Sequence, residues 1–438
     1  MNIQAITYRK ILLAVILVIL LLPFLQGKSG IVLVKDLNGW EGEKPVNTGF
    51  SFKQWFAGEY QEKKDAYVSK SFGFRNIFIR INNQLAFDLF NKALANGVII
   101  GKQNYLYENN YLKAYYGQDF IGKDSILYQM QKLKSIQDTL AKLNKTVILI
   151  FAAGKGSFYP EYFPDNYKSD KKMTNYEYYA EVAKKLGINY IDFNKYFVEN
   201  KNKSKYPLYP QYGIHWSTYG ECLAADSIVK YIEKARNIKM PHIYWDSVAV
   251  HYPANDTRDD DIEDGMNLLF SLKQNKMAYP VLRFQSDTGK QKPSAIVVAD
   301  SYYWGMFNFG ISRLFSDSHF WFYNQQVYPD SYTTPLNTSQ LNLRNEIEHH
   351  DVFIIMATEA TLPKLGWGFI EDTYKVFAGN NTKNDSVFLK KVKDLSNYIR
   401  TDKTWLANIK KDAREKNISL DSAITLNAIW VVEHDNKK

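Results

Sequence analysis

The stretch Ala295-Ile296-Val297-Val298-Ala299-Asp300-Ser301-Tyr302-Tyr303-Trp304-Gly305 decides how the rest of the chain is read. Its first five residues are apolar and largely β-branched, the composition of a buried strand. They stop abruptly at an acid, a hydroxyl and a glycine-containing segment able to turn into a helix. Ser301 therefore stands at the carboxyl end of a strand, where helix-terminal N–H groups face any oxyanion forming beside it. A nucleophile fits that address, and so does plain helix capping by Asp300 and Ser301.

A second stretch, Tyr212-Gly213-Ile214-His215-Trp216-Ser217-Thr218-Tyr219-Gly220-Glu221, supplies a partner for the serine. His215 precedes Thr218-x-x-Glu221, a capping-box pattern that opens an apolar helix through Leu223, Ile228, Val229 and Ile232. A serine hydroxyl is a poor nucleophile until a base takes its proton, and an imidazole held on a supported loop is suited to that task near neutrality. Acyl transfer is the natural chemistry of such a pair.

Working outward, the pattern alternates helices and strands, the signature of a parallel sheet with helices on both faces. Asp124-Ser125 opens an amphipathic helix marked by Ile126, Met130, Leu133, Ile136, Leu140 and Leu143, which feeds the strand Val147–Phe151. A helix from about Tyr176 to Leu186, closed by Gly187, leads to the strand Ile188–Asp192. Strands are also expected at Phe320–Tyr323 and Val352–Met356, and two short ones within Val98–Tyr107. Between Met240 and Pro293 the periodicity weakens, and the acidic run Asn255–Asp261 reads as a solvated loop without EF-hand spacing. The part from about Ser386 to Val432 looks helical.

The net charge of +9 comes from lysines interleaved with acids, so a nucleic-acid footprint is not supported. The 32 Tyr, 26 Phe and 9 Trp suit stacking on sugar faces wherever they line a groove. The single cysteine, Cys222, excludes an internal disulfide and reads as a small buried residue. Gly154-Lys155-Gly156-Ser157 lacks Walker spacing, which argues against a nucleotide phosphate site. His349-His350 have no matching Asp, Glu or His spacing, so no metal and no cofactor is expected. Arg9 and Lys10 precede an apolar run from Ile11 to Leu25 without a clean cleavage site, which favours an uncleaved signal anchor with the remainder exported.

Taken in order, the export anchor, Gly101-Lys102-x-x-Tyr105-Leu106-Tyr107, Lys155 with Tyr159-Pro160-Glu161, His215-Trp216 and Ala299-Asp300-Ser301 resemble the SGNH-hydrolase-like alginate O-acetylation proteins, the AlgJ and AlgX family. The resemblance implies an α/β fold: a flavodoxin-like, three-layer SGNH sheet in permuted chain order, histidine before serine. It implies an anchor over residues 1–28, a membrane-proximal helical segment over 29–95, the SGNH-like domain over 96–385, and a helical part of the same domain over 386–438. The implied activity is O-acetylation of an exported polysaccharide, with Ser301 as nucleophile and His215 as base. The location would be the inner membrane with the domain in the periplasm, and the acetyl donor would be presented by a membrane-bound O-acyltransferase. A carbohydrate esterase or a catalytically silent polysaccharide-binding component are the alternatives.

One departure stands out. The family carries Asp-x-His-Trp where this chain has Gly213-Ile214-His215-Trp216, so the carboxylate that orients the imidazole is missing from its place. Asp192 or Asp300 are the candidate supporting acids. Lys155, Trp216, Tyr302, Tyr303 and Trp304 are the candidate sugar contacts.

Overall fold

In the computed structural model the described residues are 3–39, 43, 45–253, 258–273, 275–377, 382–415 and 420–435. They fall into two compact units, Met1–Ile100 with Asp261–Lys273, and Gly101–Asp260 with Gln274–Lys438. The first unit is helical: Ile3–Ser29, Phe52–Phe56, Glu59–Ser71 and Arg75–Phe90. Within Ile3–Ser29, the 22 residues Tyr8–Ser29 are long and apolar enough to cross a membrane. Gly73 packs against the far part of this helix. A Cβ there would lie 2.0 Å from the Pro23 carbonyl, so only glycine fits.

In chain order the strands are β1 (Val98–Ile100), β2 (Leu106–Glu108), β3 (Thr146–Ala152), β4 (Tyr190–Asp192), β5 (Ile243–His251), β6 (Met277–Phe284), β7 (Ala295–Ala299), β8 (Ser318–Phe322), β9 (Gln326–Tyr328) and β10 (Val352–Thr358). Six of them form the main sheet in the order β4-β3-β10-β7-β8-β9. All neighbours run parallel except β8 and β9. The register sets Val352 beside both Thr146 and Ala295, and Ala295 beside Ser318. β7 is therefore flanked by β10 and β8, and all five of its residues are buried, as an unbroken Ala/Ile/Val run requires in a sheet covered on both faces.

One face of the sheet, with Val147, Leu149, Phe151, Ile296, Val298, Phe353 and Ile355, forms a single core with Ile126, Met130, Leu133, Ile136 and Leu140 of the helix Lys123–Ala141. Leu143, expected on that stripe, lies past the helix end and is exposed. The helix Asn175–Leu186 adds Tyr179, Val182 and Ala183 to this core. Thr174 and Glu177 close its first turn as a capping box, and Gly187 ends it in the left-handed conformation at φ 66°. The opposite-facing Ile148, Ile150, Val297, Ile354 and Met356 are buried as well.

The weakly periodic region holds an antiparallel hairpin, β5 with β6. Asp259 and Asp260 at the end of the acidic run are buried rather than solvated, while residues 255–257 of that run lie outside the described residues. The helices Thr382–Thr401, Lys403–Glu415 and Leu420–Asp435 share a core of their own, built on Val392, Ile399, Ile409, Ile424 and Ala428.

Candidate active site

Ser301 follows the last residue of β7 by two positions, at the carboxyl edge of the sheet. The turn that presents it is fixed by Asp300. One carboxylate oxygen accepts from the Thr358 N–H at 2.9 Å, the Thr358 hydroxyl at 2.9 Å and the Thr361 hydroxyl at 2.7 Å. The other accepts from the Tyr302 N–H at 3.1 Å. A buried carboxylate with four donors is well compensated, and it ties the serine turn to the end of the neighbouring β10.

His215 is 8% exposed, and its Nε2 lies 2.9 Å from Ser301 Oγ. That distance is fixed from both sides of the histidine. The Tyr302 hydroxyl donates to the Ile214 carbonyl, and the Trp216 indole donates to the Tyr302 carbonyl at 3.1 Å. Lys155 Nζ donates to the carbonyls of Gln211 at 2.7 Å and Gly213 at 2.6 Å, holding the loop from below. Ser217, rather than Thr218, caps the following helix Thr218–Arg236, accepting from the Gly220 N–H at 3.1 Å.

Glu221, expected to close a capping box, instead pairs with Arg258, whose guanidinium also donates to the Ser301 carbonyl at 2.8 Å. Burial pushes the Glu221 carboxyl up to about 7, against the lowering effect of Arg258. Burial, and after it the charge of Asp300, raises the pKa of Tyr323. Neither Arg258 nor Tyr323 belongs to a motif, and nothing in the sequence spacing marked them.

The structure corrects several expectations. Lys155, Trp216, Tyr302 and Tyr303 are almost fully buried and pack into the scaffold of the site. Trp304 alone of the five candidates is half-exposed, packed edge-on against Phe320 and Tyr328. Asp300 is engaged as described above. Asp192 caps the helix Phe193–Asn200 through the Lys195 N–H and accepts from the Tyr176 hydroxyl at 3.0 Å. The partners of these two acids do not include the His215 ring.

Position 213 has no room for a side chain. A Cβ on Gly213 would lie 2.4 Å from the Arg258 carbonyl and 2.8 Å from the Asp259 carbonyl carbon. The backbone of the 258–259 turn occupies the space a side chain would need.

Residues 98–243 match the family described as SGNH hydrolase-like domain, acetyltransferase AlgX. The fold is an SGNH-like α/β one. The matched stretch includes His215 and ends before Ser301. Among solved structures, the O-acetyltransferase domain of Pseudomonas putida AlgJ is similar at 15% identity over 64% of this chain and 99% of that one, with a TM-score of 0.42. Pseudomonas aeruginosa AlgX follows at 14% identity over 63% and 67%, TM-score 0.40. Bacillus cereus PatB1 has 12% identity over 62% and 99%, TM-score 0.39. No curated relative matches the chain.

Proposed function

We propose that this AlgX-like protein is an exported, membrane-anchored O-acetyltransferase that modifies polysaccharide hydroxyls through an acetyl-Ser301 intermediate. The observation that carries the reading is the 2.9 Å approach of His215 Nε2 to Ser301 Oγ at the carboxyl edge of the sheet. In the first half-reaction His215 takes the Oγ proton as Oγ attacks the acetyl carbonyl of the donor, and the protonated imidazole returns that proton to the leaving group. In the second, His215 deprotonates a sugar hydroxyl, which attacks the acetyl carbon, and Oγ recovers its proton on departure. The Asp300 brace keeps the serine turn rigid against β10.

The donor in this reading is a membrane-bound O-acyltransferase, reached because the apolar helix Tyr8–Ser29 anchors the chain in the inner membrane with the enzyme in the periplasm. With neither Asp192 nor Asp300 on the imidazole, the orienting acid comes from the buried Asp259–Asp260 turn that fills the space beside Gly213.

The test is acetyl transfer from an activated acetyl ester, with and without a glycan acceptor. Ser301→Ala and His215→Ala each reduce transfer by about 10⁴ while leaving glycan binding intact. Acetate released to water with no acetylated glycan identifies an esterase instead. Full transfer by Ser301→Ala removes the proposal altogether.

A further inference from the structure

At the amino-terminal edge of the sheet, opposite Ser301, His319, Glu346 and His350 bring one ligand atom each to within 4.8 Å of one another. His319 is the second residue of β8, Glu346 lies in the helix Leu343–His349, and His350 follows that helix just before β10. His350, the residue that ends the helix, is held beside Glu346 by its ring bond to the Glu346 carbonyl. The sheet register brings the start of β8 close to that pair.

We propose that this cluster is a structural site for a zinc-class divalent cation. Two ring nitrogens there, Nδ1 of His319 and Nε2 of His350, are buried and have no hydrogen-bond partner among the described residues. His350 is 4% exposed, and an unsatisfied buried imidazole nitrogen costs about 1–3 kcal/mol unless something binds it. Nδ1 of His350 donates to the Glu346 carbonyl at 2.7 Å, so the neutral ring presents its Nε2 lone pair to the cluster.

Carboxylates flank both rings. Glu346 Oε2 is 3.9 Å from His319 Nδ1, and Asp317 reaches His319 Nε2 at 3.6 Å and His350 Nε2 at 3.5 Å. Two imidazoles and one carboxylate are a familiar zinc donor set, and a second carboxylate balances the dication. Tetrahedral coordination at about 2.0–2.2 Å places ligand atoms roughly 3.4 Å apart, so side-chain rotations of about 1 Å close the site. A cation here joins the helix Leu343–His349 to β8, far from the serine.

Untagged full-length protein, stripped with chelator and dialysed against zinc, is expected to retain one zinc per chain and to gain melting temperature. His319→Ala with His350→Ala loses that zinc, and Glu346→Gln binds it more than about tenfold more weakly. His349→Ala serves as the matched control, because His349 is exposed and bonded to the Asn345 carbonyl. Cobalt(II) added to the wild-type protein gives the visible bands of a tetrahedral site, a readout independent of whether the double variant folds. Zinc retention no greater than in the double variant, loss equal in His349→Ala, or a cobalt spectrum of the hydrated ion would each overturn the proposal.

Discussion

Glu359 is the residue whose chemistry most directly becomes a measurable property. It follows β10, is buried, and accepts from Ser157 Oγ and from Asn194 Nδ2 at 2.6 Å, while its Oε2 has no partner among the described residues. Burial raises its pKa to about 7. The folded protein therefore keeps a proton that the unfolded chain releases at ordinary carboxylate pH, and stability falls as pH rises through that window. Glu359→Gln removes the effect. From about pH 5 to pH 8 its melting temperature is expected to gain on wild type, by up to about 3 kcal/mol in stability. Glu221 titrates alike in both proteins and cancels from that comparison. A gap independent of pH would mean Glu359 is not protonated. Gly305 gives a second test at this scale: a Cβ there would sit 1.9 Å from Glu221 Oε1. Gly305→Ala displaces the carboxylate from Arg258 and costs about 1–3 kcal/mol in urea unfolding.

At the level of elements, β7 and the loop before the helix Thr218–Arg236 were readable because each advertises itself locally: an apolar run broken by Asp-Ser, and a histidine at a helix mouth. β5 and β6 escaped notice because most of the β5 side chains are exposed or half-exposed, so no apolar alternation exists to see. The grouping of His319 with Glu346 and His350 escaped notice for another reason, since His319 comes from a separate strand and only the fold brings it near the other two. Lys155 illustrates the same limit. A lysine in a glycine loop reads as a ligand contact, yet its depth and two carbonyl acceptors make it a support for the histidine loop. Lys155→Met leaves those carbonyls unsatisfied and is expected to lower kcat with little change in KM. The Arg258–Asp260 turn carries a related expectation. Asparagine at 259 or 260 lowers kcat by up to about 10⁴, whereas Asp192→Asn leaves it near wild type. The reverse ranking would return the orienting role to Asp192.

For the molecule as a whole, the helix Tyr8–Ser29 is long and apolar enough to cross a membrane. Arginine at both Leu17 and Val18 opposes insertion by about 3 kcal/mol each and should move the protein from the membrane pellet to the soluble fraction after alkaline extraction. Retention in the pellet would exclude this helix as the anchor. Nearer the carboxyl end, three helices share an apolar cluster distinct from the one under the sheet, so a core substitution such as Ile424→Ala acts first on those helices.

Tyr302 has an implication for how the machinery ages and drifts. It is bonded in sequence to Ser301, and it grips the His215 loop on both flanks of the histidine through Ile214 and Trp216. Thermal breathing of the sheet edge that carries the serine away drags the imidazole along with it. The gap between the two is buffered against motions that would pull independently mounted groups out of reach.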